Sequence, residues 1–566
     1  MPIVTFSPSG ASAEIPAGGT LLDAARLARV RLEAPCNGVG TCGKCRVRLD
    51  EASRTQARIV ATRNLSAEQV ADGFVLLCST LADGDLEVTV PGSGERGLRI
   101  LEDGVRLDLP LNPTLRKRFD AERRCTVVSA GERVLAEEGG DTTTRLYGVA
   151  VDIGTTTLVA SLLDLGTGAR VGSASALNPQ VTHAQDVLSR VQIASEPEGL
   201  ALLHGELMAE IDRSIGLLAA EARIPRRRIY EVVIAGNTCM MHLAAAISPE
   251  PLGRFPYTPA LSGHEHRPAA ALGLHIATCG EVYFPPIISG FVGSDITVGV
   301  LATDLAAAEG VTLFVDIGTN GEMVLARDGK LQATSTAAGP AFEGMNIACG
   351  MRAARGAIER VAIEGDDIRT ATIDEAEAVG ICGSGLFDAV AAMAVLGIID
   401  SSGRFTRKAE TLPAPLRARL RPLDGKTVFY LDGEIYLSQR DIRQVQLAKA
   451  AVRAGIDTML LRNGLTPAQL DRALVAGSFG YHLTTRSLID IGLFPAELDG
   501  KVSFVGNTAR TGAEALLTNH EARETLRLVT SRVEAVELAT DPDFTKVFVA
   551  AMAFPAPVRP ALSDAA

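Results

Sequence analysis

Residues 147–165 read YGVAVDIGTTTLVASLLDL, and residues 312–331 read TLFVDIGTNGEMVLARDGKL. In each, an apolar run rich in β-branched residues ends in Asp-Ile-Gly-Thr and a second apolar run follows, which predicts a β-hairpin with glycine at its turn. Two copies predict an internal duplication whose turns face each other across a cleft. Gly154, Gly318 and Gly321 let backbone N–H groups approach an anion. Thr155, Thr156, Thr157 and Thr319 add hydroxyls, Asn320 adds an amide, and Asp152 and Asp316 are suited to hydrated Mg²⁺. That combination fits the phosphates of ATP. No G-x-x-x-x-G-K-[ST] loop occurs, and no G-x-G-x-x-G opens a helix after a strand, so P-loop and dinucleotide folds are excluded.

Working outward, residues 234–246 (IAGNTCMMHLAAA) and 506–517 (GNTARTGAEALL) predict one connecting helix in each half. Residues 472–483 (RALVAGSFGYHL) predict a strand and a glycine turn that carries Gly477, Ser478 and Gly480 under an adenosine. Residues 337–344 (AAGPAFEG, with Gly339) and 380–390 (GICGSGLFDAV, with Gly383, Ser384 and Gly385) each read as a glycine turn opening a helix, where free N–H groups hold phosphate or adenine. Close helix packing is the alternative reason for those glycines. For ATP hydrolysis, Asp152 and Asp316 are expected around Mg²⁺, with Asp316 or Glu322 orienting the attacking water and Asp295 in reserve. Leu200, Leu203, Leu207, Ile211, Ile215 and Leu218 recur at helical spacing and mark a core-facing stripe. Apart from His264 and His266, expected in a loop, the eight histidines form no ligand spacing, and all are expected at the surface.

Near the N-terminus, Cys36, Cys42 and Cys45 lie in PCNGVGTCGKC, with five and then two residues between them, and Cys78 follows in LLCST. Three thiolates on one loop and one distant thiolate are the ligand set of plant-type [2Fe–2S] ferredoxins. Gly38, Gly40 and Gly43 let the loop wrap closely and turn N–H groups toward anionic sulfur. A structural zinc site is the alternative, but it usually needs two C-x2-C pairs, and only one is present. Around the loop, VTFSP and AEIPAG predict a hairpin, TLLDAARLARV a helix, CRVRL a strand and DLEVTV a closing strand. Cys125, Cys239, Cys279, Cys349 and Cys382 are expected as buried small side chains.

The chain has 566 residues, which at ~150 per domain predicts three to four units. An apolar fraction of 47% describes a folded chain, and a net charge of −12 argues against nucleic acid as partner. No basic start followed by an apolar run marks a signal peptide, and the apolar stretch at 386–399 is too short for a membrane span, so a cytoplasmic location is expected. The expected boundaries are 1–90 for the cysteine module, 91–145 for a linker, 146–310 and 311–555 for the two halves, and 556–566 for a tail. A fully flexible linker of ~54 residues would span on the order of 40 Å.

The duplicated hairpins resemble the actin, Hsp70 and sugar-kinase superfamily, in which two α/β domains of ribonuclease-H type clamp ATP. The [2Fe–2S] loop joined to YGVAVDIGTTT, ALNPQ, DVLSR, AGNTCMMH, FVGSDIT, DIGTNGE, GICGSGLFDAV, AGSFG and VGNTARTGA resembles the reductive activators of corrinoid proteins over nearly the whole chain. The resemblance implies an α/β fold: a β-grasp-like ferredoxin domain, a linker, then the duplicated ATPase. It also implies an ATPase that returns Co(II) to Co(I) in a corrinoid protein of a methyltransferase system, fed by an electron-donating reductase, and a homodimer formed through the ATPase part. Two departures stand out: the middle domain common in the family is reduced to about thirty residues before the ATPase, and no C-terminal cysteine cluster is present. The other readings are an electron injector for a different low-potential metalloenzyme such as a radical dehydratase, a non-redox chaperone-like ATPase, and a sugar kinase with an appended ferredoxin.

Overall fold

A computed structural model describes residues 1–28, 30, 34, 38, 40, 43–62, 65–91, 104–477 and 483–556. Alternating buried and exposed side chains make Ile3–Ser7 (β1) a half-buried strand, which pairs antiparallel with Ala11–Glu14 (β2). Helix Leu21–Leu27 (α1) begins where the Thr20 side chain accepts the Asp23 amide. Arg46–Leu49 (β3), Phe74–Leu76 (β4) and Leu86–Thr89 (β5) complete a mixed sheet in the order β2-β1-β5-β3-β4, with β1 and β5 parallel. This is the β-grasp arrangement that the sequence predicts. Val4, Phe6, Leu21, Val47 and Val88 fill its core.

The segment read as a linker is mostly built structure. Leu115–Asp120 (β6), Cys125–Ala130 (β7) and Arg133–Gly139 (β8) form a three-stranded antiparallel sheet. The segment is fastened to the rest: Val105 N–H donates to Val505 O at 2.8 Å, Arg106 meets Glu514 at 2.7 Å, Arg133 meets Glu281 at 2.7 Å, and Tyr230 donates to Glu138. Backbone pairing to the ATPase core therefore begins at Gly104 and Val105. The expected span of a fully flexible linker does not apply, because the chain beyond residue 104 is paired to the ATPase core.

The two halves repeat one plan. In the first, Tyr147–Ile153 (β9), Thr157–Asp164 (β10) and Arg170–Leu177 (β11) run antiparallel, while Ile229–Gly236 (β12) lies parallel on the other side of β9. With Glu265–Pro268 (β13) and Glu281–Phe284 (β14) the order is β11-β10-β9-β12-β14-β13. In the second, Val311–Ile317 (β15), Gly321–Arg327 (β16) and Lys330–Thr336 (β17) repeat the antiparallel trio, and Arg472–Ala476 (β18) and Val502–Gly506 (β19) add parallel strands in the order β19-β18-β15-β16-β17. Each half has its own apolar core.

The stripe beginning at Leu200 lies on the helix Pro197–Glu221, with Leu203, Leu207, Ile211, Ile215 and Leu218 buried against the first sheet. Where the halves meet, the helices Ser294–Ala302 and Thr508–Thr518 cross closely; a Cβ on Gly512 would stand 2.2 Å from Val298 O. Two expectations are corrected here. His242 is fully buried, its Nε2 accepting the Ala260 and Leu261 amides, and His266 lies on β13 rather than in a loop. Of the scattered cysteines, Cys239 and Cys382 are buried, but Cys125, Cys279 and Cys349 are only half-buried. Among the described residues no helix is long and apolar enough to cross a membrane.

Candidate functional site: a two-sided cleft and a cysteine loop

Both Asp-Ile-Gly-Thr turns line one cleft between the halves, together with Asn237, Asp295, Glu343, Arg352, Ser384 and Asn507. The first turn closes through Gly154 N–H to Thr157 O at 2.9 Å, because a Cβ at Gly154 would approach that oxygen to 2.7 Å. Beneath it, fully buried Arg190 donates to Thr155 O at 2.5 Å, Gln180 Oε1 at 2.9 Å and Ala184 O at 3.1 Å. Burial lowers this guanidinium to about 10. The second turn closes through Gly318 N–H to Asn320 O, and Gly339 N–H donates to Thr319 O, both at 2.9 Å.

The connecting helices start with the same tripeptide, Gly-Asn-Thr, and both asparagines act twice. Asn237 caps Thr238–Ala244 by accepting the Met240 amide and donates to Thr155 Oγ1 at 3.1 Å. Asn507 caps Thr508–Thr518 by accepting the Arg510 amide and donates to Asp152 Oδ2 at 2.8 Å. Each cap thus orients a group on the first hairpin. The sequence reading placed neither asparagine in the site, although the repeated tripeptide was a signal.

Acids crowd the floor of the cleft. Asp316 lies directly across the second hairpin from Glu322. Burial, with the charge of Asp152 adding, raises Asp316 to about 7. Asp295, at the start of its helix, rises to about 8 through burial and then Asp316, and Glu322 rises through burial, Asp295 and Asp316. Asp152 rises only to about 6, because the Asn507 bond and the Arg510 charge oppose its burial. Such mutual repulsion is what a bound cation relieves. Among the described residues no three acids, histidines or cysteines form a metal cage.

Of the other expected nucleotide contacts, Thr155, Thr156, Thr157, Gly318, Thr319, Asn320, Gly383, Ser384 and Gly477 line the cleft, and helix Gly383–Val395 starts there. Gly321, Gly339 and Gly385 do not. Gly385 serves close packing, since a Cβ would stand 2.2 Å from Ile358 O; Gly321 faces Thr336 and Val452. Residues 340–343 make only one 3-10 turn rather than the helix expected after Gly339. Ser478 and Gly480 lie outside the described residues.

At the cysteine loop, Cys45 Sγ and Cys78 Sγ are 3.4 Å apart, and neither is in a disulfide. Two thiolates sharing one tetrahedral metal at ~2.3 Å stand about 3.7 Å apart, so this pair suits a single iron. Gly38 and Gly40 adopt φ of +90° and +77°, in the left-handed region that favours glycine. Cys36 and Cys42 lie outside the described residues.

Profiles of three families match in chain order: "2Fe-2S iron-sulfur cluster binding domain" over residues 4–83, "RACo middle region" over 147–308, and "C-terminal domain of RACo the ASKHA domain" over 310–561. The chain is 30% identical over 557 residues to the "Corrinoid activation enzyme RamQ" of Eubacterium limosum, covering 92% of this chain and 93% of that one. The chain belongs to the family of reductive activators of corrinoid proteins. A solved member of the family, described as "Reductive activator for corrinoid,iron-sulfur protein", is 32% identical, covers 98% of this chain and 99% of its own, and superposes with a TM-score of 0.71. Another relative, the "[Co(II) methylated amine-specific corrinoid protein] reductase" of Methanosarcina barkeri, is 27% identical over half of each chain. Membership of this activator family accounts for the order found here, a [2Fe–2S] domain followed by a two-part nucleotide clamp.

Proposed function

We propose that this protein uses ATP to deliver one electron to the Co(II) centre of a corrinoid protein in a methyltransferase system, returning it to Co(I). One observation carries the reading: a thiolate pair set for iron shares a chain with a duplicated cleft lined by hydroxyls, turn amides and acids. The names of the two relatives, one a corrinoid activation enzyme and one a Co(II) corrinoid protein reductase, support the acceptor.

When bound, the [2Fe–2S] cluster supplies a one-electron carrier near about −400 mV. Cys36, Cys42, Cys45 and Cys78 hold it, and an electron-donating reductase supplies the electron. Co(I) corrinoids are stronger reductants, so transfer is uphill tenfold for each ~59 mV. Closure of the cleft offsets this by favouring one state of the acceptor over another.

In the cleft, Asp152 and Asp316 bind hydrated Mg²⁺, and Asn507 keeps Asp152 oriented. Amides of both turns, with Thr155, Thr156, Thr157 and Thr319, bind the phosphates. Asp316 or Glu322 orients the attacking water, with Asp295 in reserve. Gly383 and Ser384 at a helix start, with Gly477, Ser478 and Gly480, take the adenosine side. The working units are 1–90, a tether and small sheet up to 145, 146–310 and 311–555, in a cytoplasmic homodimer joined through the ATPase part.

The test mixes the reduced protein with its corrinoid partner and follows the cobalt absorption with and without ATP. Co(I) is expected to form with ATP only. Equal yields would remove ATP from the mechanism, and no Co(I) under either condition would remove the acceptor.

A further inference from the structure

A single short segment touches both functional regions. Glu343 sits between the two phosphate-facing turns and accepts a hydrogen bond from each: Thr156 Oγ1 donates to its Oε2 at 2.5 Å, and Thr319 Oγ1 donates to its Oε1. Arg352 and Ala353 return the chain to the same cleft. Between these ends, the carbonyls of Ala348 and Gly350 accept the ammonium of Lys44 at 3.0 and 2.7 Å. Lys44 directly precedes Cys45. Both ends of a ten-residue loop therefore face the nucleotide cleft, and its apex holds the cluster loop.

The loop is braced across its own neck and against the elements beside it. Ala348 N–H donates to Asp441 Oδ1 at 2.8 Å, Met351 N–H to Ile381 O at 2.8 Å, and Ile381 N–H to Cys349 O at 2.9 Å. Gly344 lies so close to the returning chain that a Cβ would stand 2.4 Å from Met351 O. Because the two ends of the loop pack this closely at Gly344 and Met351, a displacement of Glu343 shifts the neck that carries residues 348–350 and strains their bonds to Asp441 and Ile381.

Each threonine hydroxyl has one proton to donate, and Glu343 holds both. A polyphosphate reaching the same hydroxyls needs those protons and brings negative charge against the carboxylate, so the two ligands exclude each other. We propose that Glu343 and residues 344–350 form a latch: Glu343 on the two turns keeps the cluster module docked through Lys44, and a polyphosphate in the cleft displaces Glu343 and releases the module to reach its acceptor. This rests on the nucleotide-binding part of the proposed function and gives it a regulatory consequence.

The test uses the cluster-loaded full chain under anaerobic conditions, with a non-hydrolysable ATP analogue and Mg²⁺. Amide exchange in residues 43–49 and 344–353 is expected to rise about tenfold when the analogue binds, and alkylation of Cys349, beside Lys44 and Arg46, is expected to rise with it. Lys44→Gln, checked for cluster uptake by its visible absorption, is expected to show the fast exchange with or without analogue. Glu343→Gln keeps one acceptor oxygen but loses the opposing charge, so it is expected to bind the analogue about fivefold tighter; an ordinary structural residue would weaken binding when replaced. Analogue that binds without altering exchange overturns the latch alone, as does weaker binding to Glu343→Gln. Absence of binding to the unaltered chain overturns the nucleotide reading and the latch with it. Should the Lys44 variant fold poorly, the Glu343 measurement decides.

Discussion

The two Asp-Ile-Gly-Thr hairpins share a backbone plan and differ in chemistry. Both place the aspartate at the end of a central strand, with antiparallel strands on one side and parallel ones on the other. Across the first hairpin Asp152 faces Val159, whereas across the second Asp316 faces Glu322. Like charges placed opposite each other on a sheet repel, and this pair is tolerated only with a proton or a cation between them. The supports differ as well. The first turn rests on buried Arg190 and on Asn237, the second on the Gly339 amide, and Glu343 accepts a hydrogen bond from both. Duplication has kept two Asp-Ile-Gly-Thr turns on the cleft while setting a second acid opposite the aspartate only in the second copy.

The sharpest way to break that contrast is to neutralise each aspartate in turn. Asp316→Asn is expected to lower ATP turnover by on the order of 10²–10³ with ADP affinity retained, and Asp152→Asn by clearly less, as read by steady-state phosphate release and ADP calorimetry. Equal losses would dissolve the asymmetry. The supports come next. Arg190→Met leaves several buried carbonyl acceptors unpaired and is expected to cost about 3 kcal/mol in urea unfolding. Gly339→Ala, at φ +78° and ψ 170° where glycine is nearly obligatory, is expected to cost about 2 kcal/mol. A larger loss at Gly339 than at Arg190 would reverse the ranking of the two supports.

Asn507→Ala removes a helix cap and is expected to cost about 1 kcal/mol, while raising the pKa of Asp152 by deleting the bond that opposes its burial. The smallest effect is the pH dependence of the EDTA-treated protein. Asp152, Asp316 and Asp295 titrate near 6, 7 and 8 in the folded chain, above the ordinary value of 3.8. The folded state therefore holds more protons than the unfolded one through this range, and stability falls as pH rises. Solvent in the cleft screens much of the effect, so Tm is expected to drop only about 3 °C between pH 5.5 and 8.5, and Asp295→Asn is expected to flatten the slope.

How much of this was legible depended on how local the signal is. The hairpins, the two Gly-Asn-Thr helices and the β-grasp elements each announce themselves within a dozen residues, through alternation, caps and glycine turns. The small sheet at 115–139 did not, because its strands are short and largely exposed on one face, which blurs the apolar pattern that distinguishes a strand from a linker. Residues 337–344 misled for the opposite reason: Gly339 and Pro340 look like a helix start, but Gly344 at φ +69° stops it after one turn. Glu343 carried no signal at all, since its partners lie 24 and 187 residues before it, outside any local pattern.

The amino-acid order by itself determined the elements, the duplication and the spacing of the cysteine loop, because these depend on backbone preference and side-chain periodicity within short windows. Only the packed structure decided that Asp152 raises the proton affinity of Asp316 and Asp295, that Asp316 and Asp295 raise that of Glu322, that Asn507 reaches Asp152 across the halves, and that Lys44 rests on the loop behind Glu343. Those meetings are set by how two sheets and a small domain close on each other, and electrostatic coupling falls off over a few ångströms in space while remaining blind to distance along the chain.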